Sequence, residues 1–458
     1  MGVWDTYKGV YQLSTNRRLA FIFLCVFSTP FASGADSEPN VIAIRAGRIL
    51  PVSGEPIKDG IILIEKGKIT ALGTDVIVPR DVRMIDAQDK TVVPGLIDAQ
   101  SQLFLIDSER TLRSGAPELE VLDAIDPFNK DYLEVLAQGV TAVCVVPATR
   151  SNWTGKCPVL RLNKATTVKQ RVLKSAGAVK ASIGLSGRNN ESSSLERLGH
   201  YAGMREAFIS AQRYLRRWEE YEHDLAEYKK EKGKTENKEK PGEGQDKPPV
   251  KRSSGPKKPV QRPRKPAHPP SNEVLAAILR KDIPLRIEAH RVDDILHALR
   301  LAEEFKFNLI LEKCTEGYRI APKIAKAKVP VIAGPMTTSL VSLPSVAYER
   351  YNPANPALLS NNGIQLALGT GAQDGLGSKF LASGAALAVS HGMDPDMALR
   401  AVTLTAAEIL GVADRIGSLD VGKDADLVIC LGHPFNSFTK VETVMIQGKI
   451  VYKRKGAK

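Results

Sequence analysis

Short apolar runs alternate with longer amphipathic stretches through the middle of the chain. The runs fall at 95–99, 141–146, 285–288, 309–312, 329–333 and 365–368. Between them, apolar residues recur every three or four positions over 131–138, 292–305, 317–326, 379–391 and 394–410, which predicts helices. Strands that alternate with helices predict an α/β fold with a parallel sheet. The two ends read differently. Residues 41–93 break into short strand-like runs with Pro and Gly between them, including a hairpin that turns at Lys66-Gly67. A matching set of short runs lies at 417–429 and 441–451.

One further helix stands apart. Tyr201, Met204, Phe208, Ala211, Leu215, Trp218 and Leu225 keep a three-four spacing and form one apolar stripe. The stripe either packs on the central domain or pairs with a second copy, and the spacing alone leaves both open. The stretch 229–270 then turns to Lys, Glu and Pro, with nine prolines and only Val250, Val260 and Ala267 as apolar residues. Such a composition buries no core, and a disordered surface insert is expected.

Charge changes the picture little. The formal charge is +13, but residues 229–270 hold 14 Lys and Arg against 5 Asp and Glu, so most of the excess sits in the insert. A basic tether is not a binding face, and no nucleic-acid partner is expected. Arg17-Arg18, the apolar run 19–27, Pro30 and Ser33-Gly34-Ala35 form the pattern of an export leader over 1–35. It predicts a periplasmic or secreted protein with no stable membrane span after cleavage, an uncleaved anchor being the alternative. Export would leave Cys144, Cys157, Cys314 and Cys430, which allow three pairings. Three of them sit in or beside strand-like runs, where buried free thiols are expected.

The run that opens the central domain reads Pro94-Gly95-Leu96-Ile97-Asp98-Ala99-Gln100-Ser101-Gln102. It resembles the Pro-Gly-Leu-Ile-Asp-x-His-x-His signature of the amidohydrolase superfamily, with Gln at both His positions. The phrase Gly417-Ser418-Leu419 through Gly422-Lys423-Asp424-Ala425-Asp426-Leu427-Val428 resembles that family's tail. The resemblance implies a (β/α)8 TIM-like barrel over 96–228 and 271–412. Beside it a small composite β-sandwich is implied over 36–95 and 413–458, with the insert at 229–270.

The resemblance also implies a metal centre at the carboxyl ends of the strands. In the imidazolonepropionase-like branch the metal is held by histidines and a final aspartate, and this chain departs from that set. Gln100 and Gln102 replace the first pair. Glu288 and His290 stand in a segment similar to His-Ala-His-Arg. Lys313 stands for a histidine, and Gly371 stands where the aspartate is implied, with Asp374 three residues on. Arg161 lies near where some relatives carry a carboxylated lysine, a role that a guanidinium cannot fill.

Zinc needs about three good protein donors and an open position, which these residues do not supply. No cofactor is therefore expected, and zinc only if the alternative below holds. The expected function is that of an exported amidohydrolase-like protein without its metal centre, acting in binding to a small molecule or protein, with a homo-oligomer possible. The alternative is an active hydrolase of non-peptide carbon–nitrogen bonds with a rearranged or metal-free site. Glu288, His290, Lys313 and Asp374 are the candidates for acid–base work there. A Cys314–His290 nucleophile pair is a special case of it. His200, His223, His268, His391 and His433 show no partner at metal-ligand spacing.

Overall fold

Runs rich in Ile, Val and Leu pair into two sheets, as pleated, half-buried surfaces favour. The computed structural model describes residues 41–105, 115–147, 152–184, 194–236, 261–336, 350–371, 375–436 and 438–456. The leader expected at 1–35 and Asp374 lie outside them.

The first four strands are β1 Val41–Ile49, β2 Ile57–Glu65, β3 Lys68–Gly73 and β4 Arg83–Pro94. The last three are β13 Leu427–Leu431, β14 Lys440–Ile446 and β15 Lys449–Lys453. They form one seven-stranded sheet in the order β15-β14-β13-β4-β1-β2-β3. The expected sandwich is thus a single sheet, curled so that its two halves close on one core. Backbone bonds from Ile69 to Lys423 and from Ala425 to Gly67 bring β3 against the segment that precedes β13. Ile44, Ile62, Ile69, Leu427 and Met445 fill the space inside.

Pro94-Gly95 turns the chain into the second sheet. Its strands are β5 Leu96–Ser101, β6 Val140–Val145, β7 Trp153–Arg161, β8 Val172–Ser182, β9 Leu285–Ala289, β10 Leu309–Lys313, β11 Val331–Ala333 and β12 Leu366–Leu368. They pair in sequence order. The helices are α1 Tyr132–Leu136, α2 Ser194–Glu236, α3 Pro270–Leu279, α4 Val292–Phe305, α5 Ala321–Ala327, α6 Asn355–Asn361, α7 Leu381–Ser390, α8 Pro395–Ala401 and α9 Leu404–Leu410.

The barrel departs from a strict (β/α)8 pattern, because β7 runs antiparallel to both β6 and β8. Between β6 and β8 the described residues hold no α-helix, only the 3-10 turn Val168–Arg171, so β7 returns as a hairpin strand, which parallel pairing would forbid. The sheet closes where β12 meets β5. There the Gly371 N–H donates to the Gln100 carbonyl at 2.9 Å, and the Thr370 N–H donates to Asp98 Oδ1 at 3.0 Å. A Cβ on Gly369 would lie 2.8 Å from the Gln100 Cβ, so only glycine lets the two strands approach this closely.

The insert begins later than its composition suggested. Residues 229–236 are the last turns of α2, because Lys and Glu propagate a helix and the prolines begin only at Pro241. Its far end runs back along α2, with the His268 ring 4.1 Å from Trp218, and α3 starts at Pro270. Residues 237–260 lie outside the described part. The expected helix over 394–410 is two helices, α8 and α9, broken at Thr403, whose hydroxyl donates to the Leu399 carbonyl at 2.5 Å.

Candidate functional site

Strand pleating sends alternate residues of β9 and its exit inward, which aligns Arg286, Glu288 and His290 on one face. Lys180 on β8 lies beside that face, opposite Arg286 in the strand register. Glu312 on β10 completes the group. Glu312 is fully buried and accepts from Arg286, Lys180 and the Gln100 side-chain amide. Lys180 also pairs with Glu288 at 2.6 Å, and His290 joins Glu288 at 3.3 Å and Thr315 at 2.7 Å.

The electrostatics follow from this packing. Burial alone would raise the carboxyl of Glu288, but Lys180, with His290 and Lys313, outweighs it and holds Glu288 well below the usual range. Burial opposes ionisation of Glu312 as well, and Arg286 and Lys180 overcome it. In turn the two carboxylates keep the Lys180 ammonium above its ordinary value against its burial.

Lys313 differs from these cations. Burial lowers its amine, and the attraction of Glu288 and Glu312 does not compensate. It is 7% exposed, and among the described residues its Nζ makes no hydrogen bond and no ion pair within 4 Å. Its backbone is left-handed, with φ +66° at Lys313 and +50° at Cys314, a conformation that costs a non-glycine residue about 1 kcal/mol or more. Surrounding bonds fix it. The Cys314 N–H donates to the Ala289 carbonyl at 3.0 Å, and the Asn355 amide donates to the Cys314 carbonyl at 3.0 Å. The turn breaks strand alternation, so the consecutive residues Glu312 and Lys313 both reach the interior.

Gly371 makes room for that ammonium. A Cβ on Gly371 would fall on Lys313 Nζ and lie 3.1 Å from Gln100 Oε1. Gln100 Oε1 is buried without a hydrogen-bond partner, and its orientation is set by the amide nitrogen, which donates to Glu312. A cavity of about 10 Å³ lies on the other side of Lys313, between Thr315, Met336, Tyr351 and Asn355. It has the room of about one water.

The structure therefore brings Gln100, Glu288, His290, Lys313 and Gly371 together. Gln102 lies buried just past the end of β5. Arg161 does not join them. On the antiparallel β7 it pairs with Ala142 near the start of β6, at the opposite end of the barrel from the mouth. There it binds Asp424 and Asp426, at 2.8 Å to the latter, and ties the barrel to the terminal sheet. Burial pushes the Cys314 thiol up to about 12, and His290 hydrogen-bonds Thr315 and Glu288, an arrangement that does not favour a Cys314–His290 nucleophile pair. All four described cysteines are free and buried. His223 does lie beside Asp224 and Glu227 on α2, contrary to the expectation for the lone histidines, but all three are exposed.

Sequence reasoning missed Asp98, Lys180, Arg286 and Glu312. Asp98 is fully buried and clamps the barrel seam, accepting from Thr370 Oγ1 at 2.6 Å and Ser378 Oγ at 2.7 Å. Arg286 was legible as the first of three alternating polar residues in an apolar strand. Lys180 sits in Ala178-Val179-Lys180-Ala181, a run too short in β-branched residues to signal a strand.

Among the described residues the donor set is a poor match for a catalytic dication. The carboxylates of Glu288 and Glu312 are already neutralised by Lys180 and Arg286. The Gln100 oxygen is a weak neutral donor, and Lys313 adds a repelling charge.

A family model described as the Amidohydrolase family matches residues 323–451. The chain is 36% identical over 122 residues to an imidazolonepropionase of Clostridium tetani, covering 24% of this chain and 29% of that protein. It is 31% identical over 116 residues to a dihydroorotase of an Anaeromyxobacter strain, covering 24% and 22%. These matches span about a third or less of the curated relatives' length. The solved amidohydrolase from Thermotoga maritima superposes with a TM-score of 0.72 at 28% identity, covering 90% of this chain and 100% of that one.

Proposed function

Because the chain belongs to the amidohydrolase superfamily, on its imidazolonepropionase-like branch, we propose that its barrel mouth is a metal-free site that binds a small polar ligand without hydrolysing it. The observation that carries this reading lies beside Gly371, where a buried oxygen lacks a donor and an ammonium makes no hydrogen bond among the described residues. Among the described residues, Lys313 Nζ meets no acceptor and Gln100 Oε1 meets no donor. Leaving such groups unpaired costs about 1–3 kcal/mol each, which a native fold retains when a ligand completes them. A carbonyl oxygen next to an N–H, the edge of an amide or cyclic ureide, supplies both partners. Hydrolysis is disfavoured because Gly371 offers no carboxylate to take a proton from water, and Lys180 holds Glu288 ionised in a pair.

Lys313→Met tests the reading. Hydantoin, a simple cyclic ureide, should raise the Tm of the wild-type protein and leave that of Lys313→Met unchanged, with no product in either case. The variant alone should be more stable by about 1 kcal/mol or more, since it removes an unpaired buried charge. The sign over pH agrees. A lysine whose amine is lowered in the folded state binds fewer protons there than when unfolded. Wild-type stability should therefore rise as pH climbs from the folded value of Lys313 towards the ordinary lysine value, and the variant should lack that rise. An equal hydantoin shift in both proteins, or steady turnover, would remove the proposal.

We further propose that the protein acts outside the cytoplasm, on the leader pattern alone. Mass spectrometry of the native N-terminus should find Asp36 first; intact Met1 in cytoplasmic extract would contradict it.

A further inference from the structure

We infer that the outer half of α2 pairs antiparallel with the same helix of a second copy of this chain. The 43 residues of α2 extend for about 65 Å. Its first half is docked on the barrel: Met204, Phe208, Ala211 and Tyr214 are buried, and Phe208 stacks on Phe305 and Phe307 at about 5 Å. From Trp218 outward the burial pattern changes. Trp218, Tyr221, Leu225 and Tyr228 are half-buried, and every residue between them is exposed. With Tyr214 they are spaced four, three, four and three, the 3.5-residue repeat of a two-helix seam. His268 and Lys265 cover Trp218. Among the described residues, no hydrogen bond, ion pair or ring contact reaches Tyr221, Leu225 or Tyr228 from another element.

Charge selects the occupant and its direction. Glu219, Glu220, Glu222, Asp224 and Glu227 make the segment before Tyr228 acidic, and Lys229, Lys230, Lys232 and Lys234 make the segment after it basic. Parallel pairing would set like charges side by side. Antiparallel pairing centred between Ala226 and Glu227 sets Asp224 across from Lys229 and Leu225 across from Tyr228. The overlap covers about five turns, so the contact sits at the small end of specific interfaces and should be concentration-dependent.

Sedimentation velocity on the full chain tests it. The wild type should pass from monomer to dimer as concentration rises, and less readily at high salt. Leu225→Glu with Tyr228→Glu should weaken the dimer at least about tenfold, with an unchanged Tm because neither residue is in the core. Tyr221→Cys with Lys232→Cys, which this register sets opposite each other across the two copies, should cross-link the dimer on oxidation, while Tyr221→Cys alone should not, because about 11 residues then separate it from its copy. A wild type that stays monomeric at every concentration would overturn the inference, including the case in which the chain's own residues 237–260 cover the stripe. Equal cross-linking by Tyr221→Cys alone would mean parallel pairing and overturn it as well.

Discussion

Glu312→Ala is expected to unfold or nearly unfold the protein, at a cost of roughly 3–5 kcal/mol. Glu312 is fully buried, and it is the carboxylate on which Arg286, Lys180 and Gln100 converge. Its removal leaves a fully buried guanidinium with no carboxylate and an ammonium with Glu288 alone. Glu312→Gln keeps the volume and should still cost more than about 2 kcal/mol, because the loss is one of charge and not of packing. Urea denaturation at pH 7 reads both. The sign over pH follows from the lowered carboxyls of Glu288 and Glu312. A carboxylate held low in the folded state contributes stability above its unfolded value, about 4.3, and loses it as pH falls through the folded value. The wild type should therefore lose stability steeply below about pH 4, and Glu312→Gln should lose less over the same range. A variant as stable as the wild type at pH 7 would mean that the ion cluster is not what holds the barrel's interior.

The second large effect concerns Gly371 and Lys313 together. Gly371→Asp alone places a Cβ on the tip of the Lys313 side chain at a φ of +53°, so the ammonium must swing aside, where it gains the new carboxylate as a partner, and the net cost should be small. Lys313→His removes that partner, so the two changes should couple by more than about 1 kcal/mol. Zinc uptake should follow the same logic. Gln100→His with Gln102→His adds two imidazoles, yet Lys313 still repels a cation and should prevent tight binding. The quadruple variant that adds Lys313→His and Gly371→Asp removes the repulsion and supplies a carboxylate. It should bind zinc at least about a hundredfold more tightly than the double variant. If the double variant binds as tightly as the quadruple one, Lys313 is not the barrier.

Much of this site could be read from the chain. The alternation of 98, 100 and 102, and of 288 and 290, placed side chains on one face because a strand has a period of two. What stayed hidden was the pairing. Glu312 reads as an ordinary strand residue until β9 sets Arg286 beside it. Lys180 lies on a strand whose Ala, Gly and Ser residues carry little β signal. The reversal of β7 was invisible for a similar reason. Gly155, Lys156 and Pro158 interrupt its pattern, and strand direction is set by the absence of a crossover helix, not by composition. Arg161 was placed by its nearness to a position where some relatives carry a carboxylated lysine, and that reversal carries it to the far end of the barrel. The left-handed turn at Lys313 had no sequence signal either, since Lys and Cys are not residues that favour it.

The metal content of the wild-type protein tests the central claim most directly. Chain purified without chelator and dialysed against zinc-free buffer should be analysed for zinc by mass spectrometry. The account predicts zinc far below one per chain, with no gain in Tm when zinc is added, because the mouth is already neutralised by Lys180 and Arg286 and guarded by Lys313. One tightly held zinc per chain would contradict it, and would make hydrolysis of a carbon–nitrogen bond the better reading of the site.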